Sequence, residues 1–256
     1  MKIKNIRNIF ILSVFFSLIL LEAGLAADNR EISLFQRGNV YYEQGNFDEA
    51  IRQYNGILEA GSESGNLYYN MGNCYFKKRE LGRAVLNYEK ARRLMPLDKD
   101  LESNYEYACS LIKGTEAAPK RSFPAMVLSG LFEKFTIDGL TVLLSAFYMI
   151  ILVSIATGFF ASALKKNIII LAVVTGFFFI AGFAALTGKT ALLNKEAIVI
   201  AQQTDARFEP MNKATTHFTL YEGMKVDVIS SEDNWSKVKH PDNKNGWVEN
   251  SAIAVF

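Results

Sequence analysis

The chain is short of the residues that do chemistry: its 256 residues include only two cysteines and two histidines. Cys74 and Cys109 form no CxxC pair, and His217 and His240 do not stand at metal-ligand spacing. A zinc site, a dithiol centre and a histidine acid–base pair therefore all lack their usual parts. An excess of charge of one sign is missing too. Twenty-eight basic and twenty-six acidic residues leave a net charge of +2, and the two signs interleave along the polar stretches. Neither a polybasic surface for nucleic acid nor an acidic tail is implied. The expectation is a non-enzymatic protein with no catalytic residue, no metal and no cofactor.

What the chain does have is apolar residues, half of the total, gathered in distinct runs. Lys2, Lys4 and Arg7 precede an apolar run of about 13 residues, Ile9 to Leu21, too short to span a bilayer comfortably. Small residues follow at Ala23, Gly24, Ala26 and Ala27. Residues 1–27 read as a secretory signal cut after Ala26 or Ala27, with an uncleaved anchor as the alternative. No cysteine lies near the cut for lipid attachment.

The next region repeats itself. Gly38 and Gly72, Asn39 and Asn73, Tyr41 and Tyr75, Ala50 and Ala84, and Tyr54 and Tyr88 are each 34 residues apart, and Pro96 closes the second copy. Period and residue types together resemble the tetratricopeptide (TPR) repeat. The region covers 31–113, with repeats 31–64 and 65–98. Each copy implies two amphipathic helices, whose glycine and alanine positions admit close approach while the tyrosines fill the gap. Gly45-Asn46 turns the first pair; Arg79-Glu80 is a weaker signal at the same place. Leu101, Tyr105, Ala108 and Ile112 lie at helical spacing. We read 99–112 as a capping helix, because a repeat array needs its last face covered; a degenerate third copy is the alternative.

In TPR domains the first helix of each pair lines a concave groove. That resemblance implies Phe35, Asn39, Tyr42, Tyr69, Asn70, Asn73 and Phe76 as the peptide-binding positions. Asparagine there can donate to and accept from an extended backbone; the other reading is that the asparagines knit neighbouring helices. Asn39 and Asn70 match the carboxylate-clamp subclass, but Phe35 and Asp100 stand where it needs basic residues. Cys74 suits a small buried position; outside the cytoplasm a Cys74–Cys109 disulfide between adjacent helices is also open.

Residues 114–138 break the composition with glycine, threonine, alanine and proline, then carry Val127, Leu128, Leu131, Phe132 and Phe135. This is a linker with an amphipathic helix at a membrane surface, or else a buried globular helix. Two apolar runs follow, 139–164 and 167–186, each long enough to cross a bilayer. Lys165-Lys166 lies between them. A lysine at the bilayer centre costs about 2.5–3.5 kcal/mol on insertion scales, so a hairpin carrying the pair at its bend is favoured. The positive-inside rule puts that bend in the cytoplasm. Ser154, Gly158 and Ser162 form a small-residue stripe for helix packing.

From residue 195 the pattern becomes short and β-like: 197–201, 225–229, 235–239, Trp247-Val248 and 253–255, with a helical turn near 250–252. LYEGMKVDVI, NWSKV and NGWVENSAIAVF resemble a bacterial SH3-like domain over 195–256. Ala206-Arg207-Phe208-Glu209-Pro210 partly matches its loop signature. The resemblance implies a ligand groove at Trp235 with Trp247; covering the barrel end is the other role for Trp235. His217 and His240 read as surface residues.

The fold class is therefore multidomain: an all-α TPR helical repeat, a two-helix transmembrane hairpin and an all-β SH3-like barrel. In this order the modules resemble the BatE-type proteins of the bacterial aerotolerance (Bat) operon. That resemblance implies a two-pass protein of the bacterial inner membrane with both soluble domains on the periplasmic side. It implies other membrane proteins as partners, Bat proteins with von Willebrand A domains among them, with a MoxR-type ATPase encoded nearby. It further implies a role in envelope integrity or oxidative-stress tolerance. Peptidoglycan is a further ligand for the barrel; nucleic acid is not expected.

Overall fold

The structure is a computed structural model that describes residues 29–114, 135–160, 165–192 and 195–256. The signal segment, most of the linker with its amphipathic helix, and Ser162 lie outside the described residues.

Five helices form an antiparallel array: α1 (29–43), α2 (Phe47–Glu59), α3 (Gly65–Lys77), α4 (Leu81–Leu94) and α5 (Lys99–Ser110). The small residues do what the repeat demands. A Cβ on Gly38 would come 2.3 Å from the Tyr54 ring, and one on Gly72 would come 2.5 Å from the Tyr88 ring. Only glycine lets either tyrosine lie flat against the preceding helix. Tyr54 and Tyr88 are both 1% exposed, and Ala50 and Ala84 are fully buried. Ser64 caps α3 by accepting from Leu67 N, and Asp98 caps α5 by accepting from Leu101 N.

The two interhelix turns are alike despite their sequences. Gly45 has φ +77° and Arg79 has φ +63°. Asn46 N donates to Tyr41 O and Glu80 N to Tyr75 O, at 2.9 and 3.0 Å. The second turn looked weak because an arginine occupies a left-handed position that favours glycine. The fold holds it there because the next helix must start on the same bond.

Two long apolar helices follow, α6 (Ile137–Phe160) and α7 (Lys165–Leu192). At 1.5 Å per residue, their 24 and 28 residues exceed the roughly 30 Å hydrocarbon thickness of a bilayer. Both are long and apolar enough to cross a membrane. The boundaries differ from the expected 139–164 and 167–186. Lys165 and Lys166 are the first residues of α7, and residues 161–164 before them lie outside the described residues. The helices pack on each other through Leu144, which a Cβ on Gly182 would approach to 3.0 Å, and through Gly158, near Ile168. Ser154 and Thr175 are buried in the pair. Thr175 and Gly182 were not among the expected contact residues. Lys189 Nζ donates to Phe135 O, tying the ends of the pair together.

The remainder is one antiparallel sheet of seven strands: β1 (Glu196–Val199), β2 (Gln203–Arg207), β3 (Thr216–Tyr221), β4 (Lys225–Glu232), β5 (Trp235–Lys239), β6 (Asn245–Glu249) and β7 (Ile253–Val255). Its order is β3-β2-β6-β5-β4-β1-β7, with a 3₁₀ turn at Asn250–Ala252 before β7. Ala197, Ile198, Val199, Ala206, Leu220, Val226, Val238 and Val248 fill its interior. The strands expected from 225 onward are present, and β4 runs on to Glu232 through a bulge between Val228 and Ser230. β2 and β3 had no sequence signal: of the five residues of β2 only Ala206 is buried, so no alternation shows.

Array and barrel touch. A single apolar core runs from Leu34 in α1 to Phe256 after β7, through contacts of α4 with β1 and of Leu81, Gly82 and Ile112 with the β3–β4 turn.

Candidate binding surfaces

The seven groove positions lie on the first helices of the repeats and are all half-buried. They form a hydrogen-bonded ladder that repeats with the sequence. Tyr54 Oη donates to Asn39 Oδ1 at 2.7 Å, and Tyr88 Oη donates to Asn73 Oδ1 at 2.7 Å. Asn70 Nδ2 donates to Asn39 Oδ1 at 3.0 Å, and Asn104 Nδ2 to Asn73 Oδ1 at 3.1 Å and to Tyr69 Oη at 2.8 Å. The asparagines thus do knit adjacent helices. Burial pushes the Tyr54 and Tyr88 hydroxyls above the ordinary tyrosine value, which keeps them as donors.

The ladder uses only the oxygens of Asn39 and Asn73. Among the described residues, the Nδ2 groups of these two make no side-chain hydrogen bond. One helical turn from Asn39 on α1 stand Phe35 and Tyr42, and one turn from Asn73 on α3 stands Phe76; Phe35 packs on Tyr54 at 5.8 Å, Tyr42 on Phe47 at 5.5 Å, and Phe76 on Tyr107 at 5.7 Å. Beside Phe35 a shallow open cleft of about 280 Å³ runs between Ile32, Gln36 and Leu67. Such a surface offers two amide donors in an apolar strip, which suits an extended backbone with apolar side chains.

Asn104 and Tyr107 extend this surface and were missed. Their signal was available: Asn104 is 34 residues after Asn70 and Tyr107 is 34 after Asn73. Glu106 stands at the place of Gly38 and Gly72, so the groove spacing continues into α5 without the repeat's glycine. α5 packs on α4 and carries Asn104 and Tyr107 at the repeat's groove spacing.

The cysteines are not joined; both are free thiols. They face different surroundings. Cys74 is buried among Tyr42, Tyr54 and Tyr88, whereas Cys109 faces Tyr105, Glu89 and Arg92. The disulfide left open by the sequence is therefore not formed. Burial pushes the Cys74 thiol up to about 12, and burial raises Cys109 as well. Neither is a thiolate at neutral pH, the form that thiol chemistry requires.

On the barrel, β5 points Ser236 and Val238 inward and leaves Trp235, Lys237 and Lys239 partly exposed. Lys237 lies opposite Trp247 in register, so Trp235 and Trp247 share one face. Trp247 is covered to 9% exposure, with Lys237 Nζ 5.8 Å from its ring. Trp235 remains half-buried and is the reachable member of the pair. Arg207, from the partial loop signature, donates to Ala214 O at 2.9 Å and braces its own loop.

His217 is exposed and His240 half-buried, and both belong to one aromatic column. Phe208 stacks on His217 at 4.4 Å, His217 meets Phe218 at 5.2 Å, and Phe218 meets His240 at 5.7 Å. His240 Nδ1 also lies 2.7 Å from Asp242. This aromatic column crosses from β3 to the loop before β6, a pairing that sequence spacing could not show. Among the described residues no group of histidine, cysteine and carboxylate side chains could hold a metal ion.

Comparison with protein families covers both soluble regions. Residues 32–60 and 65–94 match tetratricopeptide repeat models, and residues 204–254 match the bacterial SH3 domain model. Comparison with curated proteins gives no match. The chain thus carries TPR repeats, two apolar helices of membrane-spanning length, and a C-terminal bacterial SH3 domain. β1 lies before the matched stretch, yet it is a full member of the sheet.

Proposed function

We propose that this protein is a non-enzymatic adaptor, anchored in the bacterial inner membrane by the α6–α7 pair, that binds an extended segment of another membrane protein in its helical groove. The observation that carries this reading is the pair of Asn39 and Asn73 amide groups, left over from the ladder and set between Phe35, Tyr42, Phe76 and Tyr107. The raised thiol pKa values, at buried Cys74 and half-buried Cys109, support a role without catalysis. The docked array and barrel need one compartment, which a two-pass topology supplies. Lys165 and Lys166 at one end of that pair favour the cytoplasm for the bend and the periplasm for both domains. The order of modules favours a Bat-type envelope complex, with von Willebrand A-domain proteins as partners and tolerance of oxidative stress as the outcome.

Asn39→Asp with Asn73→Asp tests the groove. A carboxylate oxygen still accepts the ladder bonds from tyrosine and asparagine, so the fold is kept, but each free donor becomes an acceptor that repels a peptide carbonyl. Crosslinking in native membranes should lose a membrane-protein partner in this variant; unchanged recovery refutes the groove. Protease added to intact spheroplasts should digest both soluble domains, and protection of either refutes the topology.

A second reading is favoured by Trp235, the reachable aromatic of a bacterial SH3 domain: the barrel holds cell-wall glycopeptide. Purified peptidoglycan should then sediment the protein, and Trp235→Ala should abolish this.

A further inference from the structure

The two repeat copies differ most tellingly at one corner. Where the second helix of the first copy meets the turn of the second, Lys78 Nζ pairs with Asp48 at 2.5 Å and with Glu80 at 2.7 Å, and Asp48 is 86% exposed. This is a solvated ion cluster beside the turn. Adding 34 to each number gives Gly82 in the second copy and, after α5, Ile112 and Gly114. Three charged residues have become two glycines and an isoleucine.

The barrel occupies the space so created. A Cβ on Gly82 would lie 2.4 Å from Val199 O and 2.9 Å from Ile200 Cα, both backbone atoms that cannot step aside. Gly82 N donates to Glu222 Oε1 at 2.8 Å. Gly223, at φ +87°, leaves only 2.9 Å from its missing Cβ to Ile112 Cγ1, and Gly114 sits against Met224 and the Tyr221 ring. The β3–β4 turn, residues 221–225, is therefore held on all three substituted positions.

Along α4 the contact continues in charge. Arg93 pairs with Glu196 at 2.9 Å, and Lys225 bridges Glu196 at 3.0 Å and Glu89 at 3.3 Å. Glu89, whose side chain is only 7% exposed, also accepts from Tyr105 Oη at 2.7 Å. Arg93 lies 4.1 Å over the Phe256 ring. In the first copy Asn55 and Glu59 stand at the places of Glu89 and Arg93, so this charge arrangement too belongs to the second copy alone.

We propose that the barrel is the terminal cap of the helical array. The third repeat stops after its first helix, and the barrel, seated on Gly82, Ile112 and Gly114, closes the face that a further helix would cover. Array and barrel then unfold as one unit, and the groove is left as the open face of the array.

The full chain in detergent micelles tests this, because both tryptophans lie in the barrel. Tryptophan fluorescence follows the barrel, and amide hydrogen exchange of α3 and α4 follows the array, across a urea series. The wild type should show one common midpoint. Gly82→Asp/Ile112→Lys rebuilds the first copy's ion pair and should part the two midpoints, while Asp48→Gly/Lys78→Ile should leave them together. Separate midpoints in the wild type, or transitions that stay together in the Gly82→Asp/Ile112→Lys variant, overturn the proposal. Gly82→Ala gives an independent sign: helix propensity alone raises stability at this site, whereas a seated barrel requires a loss. A measured gain overturns it.

Discussion

Replacing Asn73 by alanine should damage the array far more than a half-buried polar residue suggests. Its Oδ1 accepts from Tyr88 Oη at 2.7 Å and from Asn104 Nδ2 at 3.1 Å. The Tyr88 side chain is 1% exposed, so its hydroxyl has no water to turn to. Orphaning a buried donor costs about 1–3 kcal/mol. Asn104 keeps Tyr69 Oη at 2.8 Å, so its loss is the smaller, about 0.5–1.5 kcal/mol for one net bond. The sum is about 1.5–4.5 kcal/mol, or about 10-fold to about 2,000-fold faster hydrogen exchange of α3 and α4 amides at about 1.36 kcal/mol per decade. Tyr88→Phe removes the donor instead and should cost only about 0.5–1.5 kcal/mol. In Asn73→Ala/Tyr88→Phe no hydroxyl is stranded, so the double variant should be more stable than the sum of the single effects by about 1 kcal/mol or more. Strict additivity would refute the assignment of Asn73 as the acceptor that holds α3 to α4.

Two further outcomes follow from named residues. Arg79→Gly should raise stability by up to about 1 kcal/mol, because φ +63° is open to glycine and strained for arginine; an unfolding curve moved to lower urea counts against the turn geometry. Burial alone would raise the Glu196 pKa, but Lys225 and Arg93 outweigh it and hold the carboxyl below its usual value. A depressed folded-state pKa means that this stabilisation is present above the unfolded glutamate value and disappears as pH falls through the folded one. The gap in urea midpoint between wild type and Glu196→Gln should therefore close as pH drops from 6 to about 3; a gap independent of pH refutes the pairing.

Much of this architecture is legible in residue order because its causes are local or periodic. The 34-residue spacing of Gly38 and Gly72 and of Tyr54 and Tyr88 determines helix pairs by itself, since the tyrosine ring needs the missing Cβ. The apolar runs on either side of Lys165-Lys166 are as direct a consequence of composition, and Trp235 and Val238 could be placed on opposite faces of β5 from alternation. What depended on distant partners was not legible. Asn39 and Asn73 admitted two roles until the structure assigned their oxygens to the ladder. Strands β2 and β3 owe their pairing to neighbours and not to alternation, and Phe218 brings its neighbour His217 together with His240, which no sequence pattern links to either. The barrel's seat belongs to this second kind. Gly82, Ile112 and Gly114 look like lapses from the repeat, because a vacated position carries no sign of what fills it. Only folding brings the β3–β4 turn, more than a hundred residues later in the chain, onto that surface.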